Sequence, residues 1–251
     1  MESTLGRYTY RIRSADANAH GVLALPRLMD LMQDAARQNA SALHASVEEL
    51  HPMGLTWVLS RLRLVVEQYP LVGQEFLLET WPSGFDRSLV YRDYRFSSLE
   101  GKIWGRASST WLVLDLKRRR PSRVPETWLD RIQPPQDVVG MGRFTEKWDA
   151  LKKGSRSVNL KVRWPHLDIN EHVNQTHYVS WCLDTLSHAL HQEAQCRQID
   201  LILRKEILLG EEISIQTKPQ KADLFNHAIL GERSGEVKAQ MLSYWAPRSK
   251  G

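Results

Sequence analysis

The order of sequence patterns in the first half of this chain is repeated in the second half. In each half a short strand-like segment precedes a stretch with helical periodicity, and four further strand-like segments follow. In the first half these four segments lie near 56–67, 74–82, 88–98 and 102–114. In the second half they lie near 198–208, 211–219, 224–231 and 236–245. The chain is therefore predicted to hold two copies of a strand–helix–four-strand unit.

Matching residues support the duplication. The pattern Asp-x-Asn-x-His occurs at 16–20 and again, 152 positions later, at 168–172. Three further features recur: Thr-x-Pro at 80–82 and 217–219, a turn glycine at 101 and 235, and a strand tryptophan at 111 and 245. We expect a first unit over 1–117, a Pro-rich and charged surface linker over 118–155, and a second unit over 156–251.

The helical stretches indicate how each unit is packed. Apolar residues recur at helical spacing after Pro26, and Tyr178 to Leu190 forms a wide apolar stripe with few charges. Such a helix is stable when it is buried against the inner face of an antiparallel sheet. The sequence therefore predicts a mixed α+β fold in which each sheet curls around one central helix.

Composition excludes several classes of protein. A hydrophobic content of 42% and a charged content of 25% are typical of a globular chain, and no run approaches the roughly 20 apolar residues of a membrane span. Two cysteines give no disulfide framework, and neither a zinc spacing nor a phosphate-binding glycine loop occurs. With no signal-like start, we expect a cytoplasmic protein or a mature form that has already been trimmed.

The second Asp-x-Asn-x-His pattern is the main candidate for chemistry. Asp168, Asn170 and His172 stand at alternate positions just before the second helix. If this segment is extended, the three side chains point to the same side. A carboxylate, an amide and an imidazole together can bind a carbonyl group and activate a water molecule beside it.

The sequence resembles the acyl-acyl carrier protein thioesterases along most of its length. The residues Asp168-Ile-Asn170-Glu-His172-Val-Asn174 and those that follow to 184 are similar to the active-site motif of that family. Further similar stretches lie, in the family's order, at 56–61, 67–73, 79–82 and 106–111. The resemblance implies a tandem (double) hotdog fold and hydrolysis of the thioester between a fatty acyl chain and acyl carrier protein, with no metal or organic cofactor.

The resemblance also implies a catalytic set of Asp168, Asn170, His172 and a glutamate on the next strand, which is Glu206 here. The cysteine that often follows this glutamate in the family is replaced by Ile207, so a Cys–His nucleophile cannot operate at that place. Our hypothesis is that Glu206 and His172 activate water, while Asn170 holds the carbonyl or the water. Asp168 either orients the loop or attacks the thioester directly.

Two further residues border this set. The helix that begins near Asn174 is expected to supply an oxyanion site from its N-terminus. Asn174 itself is either a helix cap or, together with Val173, a substrate-binding residue.

The first copy is expected to be non-catalytic. Aligning the strands that follow each motif places Arg63 where the second copy has Glu206, so Asp16, Asn18 and His20 lack a carboxylate base. We expect the first unit to enclose the acyl tail.

The net charge of +5 includes a dense basic run, for which a solvated loop and a docking patch for acidic acyl carrier protein are both open interpretations. The run consists of Lys117, Arg118, Arg119, Arg120 and Arg123. No aromatic residues are interleaved with it, which argues against nucleic-acid binding.

Alternative functions are an acyl-coenzyme A thioesterase, a hydratase of the same fold, or a non-enzymatic acyl-binding protein. Both a monomer and a homodimer are compatible with the sequence, because a fused pair of units already supplies the packing that single hotdogs obtain by dimerising.

Overall fold

The computed structural model describes residues 4–168 and 171–248. It divides into two compact units, Met1–Thr145 and Glu146–Gly251, which are described separately. None of the helices in these ranges is long and apolar enough to cross a membrane.

The first unit is an antiparallel sheet with one long helix. Its strands are β1 (Gly6–Arg11), β2 (Leu55–Val66), β3 (Glu75–Asp86), β4 (Leu89–Ser98), β5 (Ile103–Asp115) and β6 (Arg120–Pro121), and its helices are α1 (Leu25–Ala42) and α2 (Val47–Leu50). The strand order is β1-β3-β4-β5-β2, and the short β6 pairs with β5. The predicted strands of this half are all present.

Helix α1 forms where the apolar periodicity places it. Pro26 lies in its first turn, where a missing N–H costs no hydrogen bond. Leu28, Met29, Met32 and Ala35 are buried on one side of the helix, which packs against β1 and β3. This agrees with the predicted helix that lies against its own sheet.

The second unit has the same plan. Its strands are β7 (Arg156–Lys161), β8 (Ala194–Leu203), β9 (Glu212–Lys221), β10 (Leu224–Gly231) and β11 (Val237–Pro247), and its helices are α3 (Gln175–Asp184) and α4 (His188–Glu193). The strand order is β8-β11-β10-β9-β7, and α3 packs against β9, β10 and β11. The predicted α+β class is confirmed in both units.

The second helix is shorter than the apolar stripe predicts. The stripe continues to Leu190, but α3 ends at Asp184 and α4 begins at His188. The Thr185 hydroxyl donates to the Cys182 carbonyl (2.7 Å) and shares a 2.6 Å hydrogen bond with the Thr217 hydroxyl of β9. These side-chain bonds tie the chain to the sheet and break the helix, which the apolar periodicity alone does not reveal.

Most of the predicted linker belongs to the first unit. Val124, Trp128 and Ile132 are at most 5% exposed and pack in one cluster with Leu50 and Val113. The Pro-rich, charged composition of 118–155 suggested a surface segment, but its few apolar side chains are spaced so that they enter this core. Residues 118–145 are therefore part of the first compact unit.

Each unit contains the same hydrogen bonds at equivalent positions. The Ile12 amide donates to Gln74 (2.9 Å) as the Val162 amide donates to Glu211 (2.8 Å). The Trp111 indole donates to the Ser109 hydroxyl (2.9 Å), and in the same way the Trp245 indole donates to Ser243 (3.0 Å). The structure thus repeats the duplication that the sequence indicates.

Candidate active site

The centre of the candidate site is a hydrogen-bonded pair of side chains in the second unit. The imidazole Nε2 of His172 lies 2.8 Å from the carboxylate Oε2 of Glu206. Each side chain is 38% exposed, so the pair is held in place and is open to solvent. Two of the four predicted catalytic residues are therefore in direct contact.

His172 is carried by a tight turn. The Asp168 amide donates to the His172 carbonyl (2.8 Å), and the Glu171 amide donates to the Asp168 carbonyl (3.1 Å). Glu171 has a φ of 61°, in the left-handed region that reverses the chain direction. The extended conformation that would point the three side chains to the same side is therefore not found, because the Asp168 amide is bonded back to the His172 carbonyl.

Asp168 is half-buried and supports this turn. Its carboxylate Oδ1 accepts a hydrogen bond from the His172 amide at 3.3 Å. This contact agrees with the loop-orienting role among the two that the sequence leaves open. Asn170, the remaining member of the predicted set, lies outside the described residues.

Glu206 was predicted to lie on a strand, but it lies beyond the end of one. Strand β8 ends at Leu203, and the next two amides, of Arg204 and Lys205, both donate to the Lys238 carbonyl (2.9 and 3.1 Å). This shared acceptor takes the chain out of the ladder. Residues 207 and 208 then pair with 173 and 172, which brings Glu206 beside His172.

The backbone behind Glu206 is held by buried groups. The Ile207 carbonyl accepts the Val173 amide at 3.2 Å, and both side chains are at most 5% exposed. Burial raises the pKa of the Tyr178 phenol, while the nearby Ile207 backbone lowers it. Tyr178 on α3 thus lies beside the segment that presents Glu206, a proximity between distant residues that the sequence did not indicate.

Asn174 caps the helix that follows. Its side-chain oxygen accepts the Thr176 amide (3.1 Å) and hydroxyl (3.2 Å), while its carbonyl accepts the His177 amide (3.0 Å). The structure therefore gives Asn174 the cap role that the sequence offered as one of two interpretations. Substrate binding by Asn174 and Val173 stays a prediction.

The turns of the two units align with an offset of 150 positions and not 152. Leu167 pairs with Val173 as Ala17 pairs with Leu23. The glycine at 21 has a φ of 69°, which matches the φ of 61° at 171. The counterpart of His172 is therefore Val22, whereas His20 matches position 170. The equal spacing of the two Asp-x-Asn-x-His motifs therefore gave an alignment of the two units that is wrong by two residues.

The counterpart of Glu206 is Tyr69 and not Arg63. In the first unit the amides of Glu67 and Gln68 both donate to the Trp104 carbonyl, as those of Arg204 and Lys205 do to Lys238. Counting onward from these amides gives Tyr69 at the place of Glu206. The first unit thus carries Val22 and Tyr69 at the two places where the second unit carries its imidazole and carboxylate.

A stack of rings at the base of the turn had not been predicted. The His166 ring lies 5.0 Å from that of His177 and 5.1 Å from that of Trp181, measured between centroids. Its Nδ1 accepts the Arg163 amide at 3.1 Å. Burial lowers the pKa of the His166 imidazole, and the nearby His177 and Arg163 lower it further.

The basic run is an exposed turn of the first unit. All five of its cations, Lys117, Arg118, Arg119, Arg120 and Arg123, are exposed. The carboxylate of Asp115 accepts the amides of the first two of them (2.9 and 2.7 Å), which closes the turn. Within the described residues, no group of three or more His, Cys, Asp or Glu side chains is arranged to hold a metal ion.

Comparison with solved structures shows the fold. The chain superposes with a TM-score of 0.88 on an acyl-ACP thioesterase from Bacteroides thetaiotaomicron (22% identity, 97% of this chain and 98% of that one). It gives the same TM-score with the 12:0-ACP thioesterase of Umbellularia californica (21% identity, 99% of each chain). These likenesses confirm the predicted tandem hotdog fold.

Curated relatives match nearly the whole of this chain but are longer than it is. A chloroplastic palmitoyl-acyl carrier protein thioesterase of Cuphea hookeriana is 25% identical over 97% of this chain and 62% of its own length. The corresponding protein of Arabidopsis thaliana is 26% identical over 90% of this chain and 58% of its own length. The chain therefore spans about three fifths of these relatives.

Two family models match in succession. The acyl-ACP thioesterase N-terminal domain matches residues 5–132, and the acyl-ACP thioesterase C-terminal domain matches residues 150–247. The first matched range lies within the first compact unit of the structure, and the second lies within the second unit. The chain belongs to the acyl-ACP thioesterase family.

Proposed function

We propose that this chain hydrolyses fatty acyl-acyl carrier protein thioesters at the His172–Glu206 pair of its second unit. The observation that carries the proposal is the 2.8 Å contact between the imidazole and the carboxylate, both of them open to solvent. Membership of the acyl-ACP thioesterase family supports the reaction class, and the names of the curated relatives support the carrier protein as the acyl donor.

Hydrolysis starts with the activation of water. His172 donates its Nε2–H to Glu206, which leaves Nδ1 to take a proton from a water molecule. The water oxygen forms a bond to the thioester carbonyl carbon, and the carbonyl oxygen becomes negatively charged. Glu206 stabilises the imidazolium that results. When the carbon–sulfur bond breaks, the imidazolium returns the proton to the thiolate, so that a free acid and a thiol leave.

The remaining groups hold the carbonyl and the loop. Asp168 orients the turn through the His172 amide, and Asn170 binds the carbonyl oxygen or the water. The start of α3 favours the oxyanion through its helix dipole. Because Asn174 already accepts the amides of Thr176 and His177, the contribution of the helix is electrostatic and does not depend on those two N–H groups.

A panel of thioesters tests the proposal. Purified protein is incubated with acyl carrier protein and coenzyme A thioesters of several chain lengths, and the released thiol is measured. Glu206→Gln is expected to lower kcat on the preferred thioester by about 10²- to 10⁴-fold with unchanged circular dichroism, because the base loses its partner. Glu212→Gln is the matched control, since its side chain has the same 38% exposure.

Each outcome of the panel decides between functions. Faster release from carrier protein than from coenzyme A supports the proposal, and the reverse supports the coenzyme A alternative. Acyl binding without thiol release would indicate the non-enzymatic alternative. Near-normal activity of the Glu206→Gln protein would overturn the assignment of the pair.

The basic turn at 117–123 is proposed as the docking surface for the acidic carrier protein. Arg118→Glu, Arg120→Glu and Arg123→Glu together are expected to raise KM for the carrier-bound substrate more than KM for a small thioester, with the difference shrinking at high salt. Lys218→Glu with Lys221→Glu reverses two exposed charges elsewhere as a control. An equal rise of KM for both substrates would contradict docking at this turn.

A further inference from the structure

The loop that bears His172 is closed at its base by His166. This loop spans residues 163–174, of which 169 and 170 lie outside the described ranges. The His166 carbonyl accepts the Asn174 amide at 2.9 Å, and its Nδ1 accepts the Arg163 amide at 3.1 Å. His166 therefore holds the start of the loop and, through Asn174, its junction with α3.

The surroundings of His166 disfavour its charged form. The charged and titratable groups that face it are Arg163 on its own loop and His177 on α3, and Trp181 of the same helix contacts the ring edge-on. None of these three side chains carries a negative charge that would stabilise a protonated His166. The neutral imidazole is the form that fits this place.

In the first unit, the position equivalent to His166 holds a residue whose charge does not change near neutral pH. Its counterpart there is Asp16, whose carboxylate accepts the Arg13 amide at 3.0 Å and the Arg13 guanidinium at 2.8 Å. The Arg13 partner lowers the pKa of Asp16, so this acceptor persists in mildly acidic solution. The second unit uses an imidazole for the same hydrogen bond.

We propose that His166 is a positioning residue that makes the placement of His172, and with it kcat, depend on pH. The proposal rests on the proposed function, since it assumes that His172 acts in hydrolysis. Nδ1 accepts the Arg163 amide only while it carries no proton. Protonation turns Nδ1 into a donor that opposes another donor, and it places a positive charge beside Arg163 and His177. The contact between His166 and the Arg163 amide is then lost as the pH falls.

The test replaces His166 by the residue that the first unit uses. His166→Asp keeps an acceptor for the Arg163 amide and removes the titration. In the wild-type protein, log(kcat/KM) is expected to fall more steeply at acid pH than in the His166→Asp variant, with a slope larger by about one, because His166 takes up an additional proton. In the variant this additional slope is expected to be absent, with kcat above pH 7 within about threefold of wild type. KM is expected to change little.

Two companion variants make the result decisive. His166→Asn supplies a neutral acceptor and is expected to reproduce the smaller slope if the carboxylate variant folds poorly. Asp16→His places the titrating group in the first unit and is expected to leave the pH profile unchanged. A slope that is the same in all proteins, or an equal response to Asp16→His, would overturn the proposal.

A measurement without substrate separates this proposal from the proposed function. The backbone amide of Arg163 is followed by ¹⁵N NMR from pH 8 to 5 in the whole chain. It is expected to titrate in the wild type, with a midpoint below the usual 6.5, and not in the His166→Asp variant. A protein that lacks thioesterase activity but shows this titration would refute the hydrolase function only. An Arg163 amide that does not titrate would refute the role of His166.

Discussion

At the scale of single residues, the second unit contains a buried histidine that the candidate site does not use. His227 on β10 is 0% exposed, and its two ring nitrogens lie 2.8 Å from the Thr217 hydroxyl and 2.9 Å from the Ser243 hydroxyl. Burial lowers its pKa to about 3. The network links β9, β10 and β11 and continues through Thr217 to Thr185 at the end of α3.

This histidine makes the stability of the protein depend on pH. In the unfolded chain a histidine titrates near 6.5, whereas the folded protein keeps His227 neutral down to about 3. The unfolded state thus binds the extra proton, so the free energy of unfolding falls as the pH decreases from about 6.5 towards 3.

His227→Phe is expected to lower the free energy of unfolding at pH 7 by about 1–3 kcal/mol, because it removes the partner of two buried hydroxyl groups. The variant is also expected to lose less stability than wild type between pH 7 and 5. Urea unfolding at both pH values measures this, and His188→Phe, at an exposed position, is the control. An unchanged pH dependence would contradict the assignment.

At the scale of elements, a segment of the predicted linker contacts strand β4. This segment, residues 139–141, is called the strap. The Met141 amide donates to the carboxylate of Asp93 at 3.1 Å, and Asp93 is only 3% exposed. A Cβ atom on Gly140 would collide with the same carboxylate. The strap therefore depends on a residue without a side chain at 140.

Gly140→Ala is expected to destabilise the protein by about 1–3 kcal/mol, because the added Cβ atom would overlap with the buried carboxylate of Asp93 and force one of the two to shift. Val139→Ala changes an 89% exposed neighbour and is expected to shift stability by less than about 0.5 kcal/mol. Thermal unfolding of both variants is the measurement. Equal melting temperatures for Gly140→Ala and wild type would show that the strap is loosely held.

At the scale of the whole molecule, the two units have one plan but carry different side chains at the two positions of the candidate site. Where the second unit has His172 and Glu206, the first has Val22 and Tyr69, although both have the same turn and the same shared carbonyl acceptors. The duplicated fold therefore provides a similar backbone twice, and an imidazole and a carboxylate occupy these two positions in the second unit.

His20→Ala is expected to leave kcat within about twofold of wild type, whereas His172→Ala is expected to lower it by about 10²- to 10⁴-fold. The reason is the register of the turns, in which His20 does not match His172. Thioester hydrolysis by both variants, with circular dichroism as the control for folding, provides the comparison. A comparable loss in the two variants would mean that the first unit also takes part in the reaction.

Much of the fold was predictable because the patterns that encode it are local. Period-two alternation and helical spacing depend on neighbours within a few residues, so the strands, the helices and their repeated order could be recognised along the chain. The residue types His172 and Glu206 were likewise recognisable from the motifs that contain them. The break after Asp184 was not predictable, since it depends on the hydroxyl of Thr217 on a different strand.

The amino-acid sequence alone predicts that the chain folds as two similar α+β units and that the second unit carries an imidazole and a carboxylate. How these two groups meet is visible only in the folded chain, because their contact depends on which backbone amides and carbonyls pair. The shared Lys238 carbonyl takes Glu206 out of its strand, and the turn at Glu171 directs His172 towards it. Equal motif spacing assigned His20 to the first copy of the site and alignment of the following strands assigned Arg63, whereas the hydrogen-bond register assigns Val22 and Tyr69.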